Sequence, residues 1–291
     1  MNTVVMYHSP CFDGFTAAWV AKKALDLLPE QVTYHPINYG DKPPLDLIDS
    51  QTQVVLVDFS FPLEVMKQII DKAAHTLVLD HHQSAQQALE PLVGYAGCTI
   101  QFDMNRSGAG LAWDWYHPGV ARPPLVAYVE DRDLWRFKLQ DSREINAVIM
   151  SYEPTHERWN LMDKYLTKDL KLKGKGFWYA EGSAILRKQQ QDIDAIIRCA
   201  RTTMVIGGQR VPVVNAPITL CSEIGNQLAR GEGFAATYYD DDEWRRFSLR
   251  SSQDGADVAE VAKIYGGGGH KHASGFRMPL GWTGDSRRGA A

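Results

Sequence analysis

The sequence predicts an α/β protein: a mostly parallel-sheet amino-terminal domain, a long helical connector and a smaller carboxyl-terminal α/β domain. Three observations predict it. Short apolar runs alternate with helix-length stretches through the first half, the grammar of βαβ units around a largely parallel sheet. The region from Ser142 to about Arg201 has helical patterning almost throughout. From Thr202 onward short β-like runs alternate with short helices. The domains are expected at residues 1–176 and 202–280, joined by a connector helix over 177–201 and followed by a loose tail over 281–291.

Taken in order, Thr3–Tyr7 is a strand that runs into His8 and then Asp13-Gly14. Pro10 and Gly14 bracket a tight loop, and Phe15 to Leu28 has helical character, with Trp19 and Leu25 among its apolar positions. Gln31 to Ile37 is a second strand, and Asn38 to Ser50, with Gly40, Pro43 and Pro44, is a loop with one helical turn. Val54 to Asp58 is a third strand, and Pro62 to Ala74 a helix that opens on proline. Thr76 to Asp80 is an apolar strand ending abruptly in Asp80-His81-His82. Gln83 to Glu90 starts another helix and Cys98 to Asp103 is a further strand. Ser107-Gly108-Ala109-Gly110 leads into a helix over Leu111 to Tyr116, where the serine caps the start. The glycines either leave N–H groups open to an anion or allow close packing. Leu125 to Val129 is helical and ends in the charged Glu130-Asp131-Arg132-Asp133.

Lys171 to Gly176 suits a turn, and Phe177 to Arg198 is the longest amphipathic stretch. Beyond it, Met204–Ile206, Val211–Val214, Phe234–Tyr239 and Phe247–Leu249 read as strands, with Ser222–Arg230 and Val258–Tyr265 as helices.

At 291 residues the chain is long enough for two cores, and 44% hydrophobic with 23% charged residues is ordinary globular composition. A net charge of −4 excludes a general positive field for coating long nucleic acid, so no long nucleic-acid track is expected. The four cysteines, Cys11, Cys98, Cys199 and Cys221, show no C-x-x-C pairing, which indicates neither a zinc ribbon nor a disulfide framework and suits a reduced, cytoplasmic setting. No apolar run approaches the length of a membrane span and the amino terminus lacks a targeting pattern.

Three strands thus deliver His8 with Asp13, Asp58, and Asp80-His81-His82 to one sheet edge, the edge where open α/β sheets bind ligands. Imidazoles and carboxylates without paired thiolates form a hard to borderline ligand set suited to Mn²⁺, Mg²⁺ or another divalent metal. Asp58, on a middle strand, can bridge two cations. One would be held by His8 and Asp58, the other by Asp13, Asp58, His81 and Asp131, with a water activated between them as nucleophile for phosphoryl displacement. His82 is placed to donate to a non-bridging phosphate oxygen, and Asp80 to orient a ligand from behind. In the second domain, Gly266-Gly267-Gly268-Gly269-His270 permits close backbone approach to a phosphate, with His270 as a directed donor. Arg250 at a strand end offers a bidentate contact.

Asp80-His81-His82, preceded by His8, Asp13-Gly14 and Asp58 and followed by Asp131, resembles the DHH phosphoesterase family. Gly266 to Gly275 resembles the G-G-G-H-x-x-A-x-G motif of the carboxyl-terminal domain in RecJ-like exonucleases and nanoRNases. The resemblance covers both halves of the chain in order. It implies a Mn²⁺ pair in the first domain, a substrate-binding second domain and an active site in the cleft between. Hydrolysis of very short oligonucleotides or linear dinucleotides to nucleoside monophosphates follows. A nucleoside bisphosphate, a cyclic dinucleotide and a catalytically weakened nucleotide-binding regulator stay open as alternatives, as does an oligomer. By the same resemblance His8, Asp13, Asp58, His81 and Asp131 are metal ligands, with His82 and Asp80 catalytic. Arg250, Gly267, Gly268, Gly269 and His270 contact substrate. Two features depart from the pattern: Cys11 stands where the first motif usually has an aspartate, and Asp133 competes with Asp131 for the fourth motif.

Overall fold

The computed structural model describes residues 2–26, 31–171 and 176–285. It is α/β as expected, and divides into two compact units, Met1–Leu186 and Arg187–Ala291. No helix among the described residues is long and apolar enough to cross a membrane.

The first unit is built on five parallel strands: β1 (Asn2–His8), β2 (Val32–Ile37), β3 (Thr52–Val57), β4 (His75–Asp80) and β5 (Cys98–Phe102). Their order is β2-β1-β3-β4-β5. Because side chains alternate across a strand, each strand feeds both faces. Val5, Val55, Val57, Leu77 and Leu79 point to one side. There they pack on α1 (Phe12–Leu25), α4 (Gly108–Tyr116), α5 (Pro124–Asp133) and α7 (His156–Asp169). Val4, Met6, Val54, Leu56 and Val78 point to the other, against Met66, Ile69 and Ile70 of α2 (Leu63–Lys72) and Leu89 of α3 (Gln83–Leu89). Burial on both faces is why these strands read as continuous apolar runs. The strand order reverses between β1 and β3, so the crevice at their carboxyl ends is the topological switch point. His8 and Asp58 stand at that crevice.

Two helices, α6 (Ser142–Met150) and α8 (Phe177–Ala200), complete the helical region, and the division between the units falls inside α8. The second unit is a six-stranded mixed sheet, β10-β11-β9-β8-β7-β6. Its strands are β6 (Arg201–Ile206), β7 (Gln209–Asn215), β8 (Ala235–Asp240), β9 (Trp244–Arg250), β10 (Gly268–His270) and β11 (Ala273–Pro279). Only β7 and β8 pair in parallel. Helix α9 (Cys221–Leu228) buries Cys221, Ile224 and Leu228 on one face of the sheet, and α10 (Val258–Lys263) buries Val258, Val261 and Ala262 on the other.

Several boundaries differ from the sequence expectation. Helix α1 begins at Phe12 rather than Phe15, because Cys11 has extended backbone angles and serves as its N-cap. Asp13 and Gly14 therefore lie in the first helical turn and not in a loop. A β-carbon on Gly14 would stand 2.2 Å from the His8 carbonyl oxygen, so glycine is what lets α1 start directly on the end of β1. The glycine run holds the edge strand β10, and β11 was not anticipated. Residues 281–285 are tied down, with Asp285 N–H donating to the Val205 carbonyl at 2.8 Å and Tyr265 Oη donating to the Asp285 carboxylate at 2.8 Å. Positions 27–30, 172–175 and 286–291, which include parts of the expected first helix, turn and tail, lie outside the described residues.

Candidate metal and phosphate site

Asp58 is the centre of the site. It follows β3 with a left-handed backbone (φ 56°), a conformation that costs a non-glycine residue energy and turns its carboxylate away from the strand line. Its N–H still donates to the Leu79 carbonyl at 2.9 Å, which fixes the turn against β4. The carboxylate is buried and its two oxygens face different neighbours. Oδ1 lies 3.0 Å from His81 Nε2. Oδ2 makes no hydrogen bond among the described residues and faces His8 Nδ1 at 3.6 Å. Burial opposes ionisation, yet His8 and His81 beside it hold its carboxyl well below the usual range.

His81 Nε2 faces three acids at once: Asp58 at 3.0 Å, Asp133 at 3.5 Å and Asp13 at 3.8 Å. Asp13 is locked by accepting hydrogen bonds from the N–H groups of Gly108 (2.5 Å) and Ala109 (3.1 Å). The N–H groups at the start of α4, which one of the two sequence readings left open to an anion, are thus taken by the Asp13 carboxyl group of this chain. The glycines also serve packing, the other reading. A β-carbon on Gly108 would lie 2.3 Å from Asp58 Cβ, and one on Gly110 would meet Glu130. Ser107 caps the helix by accepting from Gly110 N–H at 3.2 Å.

Three triads in this unit have donor atoms within 4.8 Å of one another: His8, Cys11 and Asp58; Asp13, Asp58 and His81; and Asp58, Asp80 and His82, in which the Asp80 oxygens are already engaged by Ser60 and His82. They share Asp58. Carboxylate and imidazole donors with one thiol, and a buried carboxylate oxygen without a hydrogen bond among the described residues, fit divalent-cation binding.

Asp131, expected among the ligands, is placed otherwise. Its Oδ1 accepts from Lys138 N–H at 3.0 Å and its Oδ2 from Leu139 N–H at 3.2 Å, so it closes the turn after α5. Asp133 is the acid beside His81. Helical phase explains the exchange: Asp133 follows Val129, which packs in the core beneath the sheet edge, by one turn, whereas Asp131 is rotated about 200° from it. The same phase is visible in the sequence and would have selected Asp133.

Asp80 is engaged by both histidines that follow it and by Ser60. Its Oδ1 is 2.7 Å from His82 Nδ1 and accepts from the His81 and His82 N–H groups, while its Oδ2 accepts from Ser60 Oγ at 2.5 Å. Burial disfavours a charged His82, but the Asp80 charge and hydrogen bond outweigh it and raise its pKa. The contact with Asp80 fixes the orientation of the His82 ring, which lies 6.1 Å from that of His8. Tyr39, for which sequence gave no signal because it lies in the loop after β2, stands edge-on to both His8 (5.1 Å) and His82 (5.9 Å).

In the second unit, Arg250 is held by Ser222 Oγ and Ser248 Oγ, to each of which it donates at 2.8 Å. Gly267 and Gly269 allow β10 to lie against the backbone of β11, since β-carbons there would come within 2.1 Å of Gly275 O and 2.7 Å of Ala273 O. Gly268 and His270 pair with Gly275 and Ala273. The close approach made by the glycines is thus to a neighbouring strand.

The crowding of acids around His81 has a pH consequence. Burial disfavours its charged form, but the hydrogen bond to Asp58 and the charges of Asp133, Asp58 and Asp13 outweigh it and push its pKa up to about 10. A cation ligated by Nε2 must displace that proton. Below pH 10 apparent affinity at this triad should climb about tenfold per pH unit for each proton displaced. Calorimetric titration with Mn²⁺ near neutral pH, in buffers of different ionisation enthalpy, should show release of at least one proton. An enthalpy independent of buffer would refute the ligation.

No protein-family model matches the chain. Uncharacterized protein R106 of Acanthamoeba polyphaga mimivirus is 29% identical over 297 residues, covering 94% of this chain; the chain spans 66% of that relative's length, just under two thirds. Among solved structures, the DHH domain of a member of the s1p family of ribosomal proteins superposes with a TM-score of 0.52 at 14% identity, covering 94% of this chain and 82% of that one. Exonuclease RecJ bound to manganese gives a TM-score of 0.49 at 16% identity, covering 95% and 86%. The strand order, the two units and the superposition on a DHH domain agree with the motif reading, and the chain has a DHH-type fold.

Proposed function

We propose that this chain is a divalent-metal-dependent phosphodiesterase that hydrolyses very short oligonucleotides or linear dinucleotides to nucleoside monophosphates. The observation that carries the reading is Asp58, whose two carboxylate oxygens each serve a different ligand triad. When bound, a pair of cations, with Mn²⁺ the metal expected, would supply Lewis-acid polarisation of the phosphate and a nucleophile near neutral pH.

The chain's own residues do the rest. His8, Asp13, Asp58, His81 and Asp133 would hold the cations. His82, aimed by Asp80, donates to a non-bridging phosphate oxygen and stabilises the charge that develops there. Asp80 is a positioning residue, since its oxygens are already engaged by Ser60, His81 and His82. Arg250, fixed by two serines, is a ready phosphate contact in the second unit, and His270 with Gly267, Gly268 and Gly269 contributes the rest of the substrate surface. The net charge of −4 supports a short substrate over a long polyanion.

Labelled dinucleotides and long single strands, incubated with purified protein and Mn²⁺ or with a chelator, test this. Monophosphate release from dinucleotides that ceases with the chelator is expected. Cleavage that survives the chelator would overturn the metal chemistry, and faster turnover of a nucleoside bisphosphate or of long strands would overturn the substrate.

A further inference from the structure

Two of the triads that share Asp58 are chemically unlike. One contains only carboxylates and an imidazole: Asp13, Asp58 and His81, with Asp133 alongside. The other is His8, Cys11 and Asp58, and a sulfur replaces an oxygen. Cys11 is the N-cap of α1, yet its side chain makes no capping hydrogen bond, although that position commonly uses its side chain for one. Its backbone is extended (φ −146°, ψ 134°), and its sulfur is among the atoms gathered within 4.8 Å of His8 and Asp58 donors. The remaining cysteines, Cys98, Cys199 and Cys221, belong to none of the potential metal clusters among the described residues.

Donor softness decides which metal a site retains. Thiolate favours Zn²⁺ and its near relatives over Mn²⁺ and Mg²⁺, which prefer oxygen. One imidazole, one thiolate and one carboxylate make three protein ligands around a metal that keeps a fourth position for water or substrate, the arrangement of a catalytic rather than a structural zinc site.

Building on the two-cation reading above, we propose that the paired site is asymmetric: the His8–Cys11–Asp58 triad takes a zinc-class ion through a Cys11 thiolate, and the Asp13–Asp58–His81 triad takes the manganese-class ion. On binding, the Cys11 thiol gives its proton to solvent and the sulfur lone pair forms the metal bond, so the step is a ligand exchange without oxidation.

Cobalt(II), a spectroscopic substitute for zinc, tests this without reference to turnover. Wild-type protein stripped with chelator and titrated with Co²⁺ should develop a near-ultraviolet sulfur-to-metal charge-transfer band that saturates at one equivalent. The band should be absent from Cys11→Ser and Cys11→Asp proteins whose circular dichroism matches wild type. Cys11→Asp should also lower the Zn²⁺ affinity relative to Mn²⁺ by on the order of 10- to 100-fold.

A second measurement needs no variant. Peptide mapping after alkylation should show Cys11 protected at least tenfold by Zn²⁺ and far less by Mn²⁺, with exposed Cys199 as the internal control. Two equivalents of Co²⁺ bound without the band, a band that persists in Cys11→Ser, or equal protection by both metals would overturn the thiolate assignment and leave the paired site standing. No binding of any divalent metal by wild type would overturn both.

Discussion

Replacing Asp58 by asparagine is expected to abolish both cation sites at once. Asparagine keeps the shape and one acceptor for His81, which lies 3.0 Å from Oδ1, but removes the charge that both triads share. Loss of a single partner around a metal ligand already lowers affinity on the order of 10- to 100-fold, and here a direct ligand of two ions is neutralised. Hydrolysis should fall by at least what removal of one oxyanion donor costs, on the order of 10²–10³-fold. Calorimetry with Mn²⁺ and the dinucleotide assay check this together. Retention of one tight equivalent would mean that Asp58 serves only one ion.

The second large effect separates two neighbouring acids. Asp133→Asn should weaken metal binding and activity while leaving thermal stability close to wild type or above it. Loss of hydration around its partly exposed carboxyl and the nearby Asp58 charge push Asp133 up, only partly offset by His81, so its charge is unfavourable to the fold before any cation arrives. Asp131→Asn should do the reverse. Its carboxylate satisfies the N–H groups of Lys138 and Leu139 at the turn after α5, and the turn carries left-handed angles at Trp135 (φ 53°) and Phe137 (φ 48°). Weakening those charge-assisted bonds should cost about 1–3 kcal/mol of stability. Metal binding should stay near wild type. Denaturant unfolding and Mn²⁺ titration of the two variants side by side would expose an exchange of these roles.

The legible part of this molecule is the part governed by simple periodicity. His8, Asp58 and His81 were readable because each ends an apolar run in a sheet buried on both faces, and such runs leave little choice of element or of edge. Asp13 was readable as a residue but not as a helical one. The cue for the start of α1 is weak, since cysteine is not among the favoured capping residues and Gly14 inside the first turn argues against a helix unless the contact with His8 is known.

Asp131 and Asp133 illustrate a different limit. Their helix was expected only to Val129, so the phase that distinguishes them was not extended to the end. The glycine run misled for a third reason. Glycine has low intrinsic preference for strands, and β10 exists because Gly267 and Gly269 fit where any β-carbon would strike β11, a fact of tertiary packing. Tyr39 and Ser60 left no trace in local patterning. Each matters through a neighbour brought near by the fold: Ser60 through its hydrogen bond to Asp80, and Tyr39 through its edge against two histidine rings.

The most direct test of the shared carboxylate is anomalous diffraction from crystals of the protein grown with Mn²⁺ and Zn²⁺ together, collected on both sides of the manganese and zinc absorption edges. Two peaks are predicted, one beside each oxygen of Asp58, with His8 at the first and Asp13, His81 and Asp133 around the second. A single peak that leaves one Asp58 oxygen without an ion, or peaks that lie away from Asp58 altogether, would contradict the account.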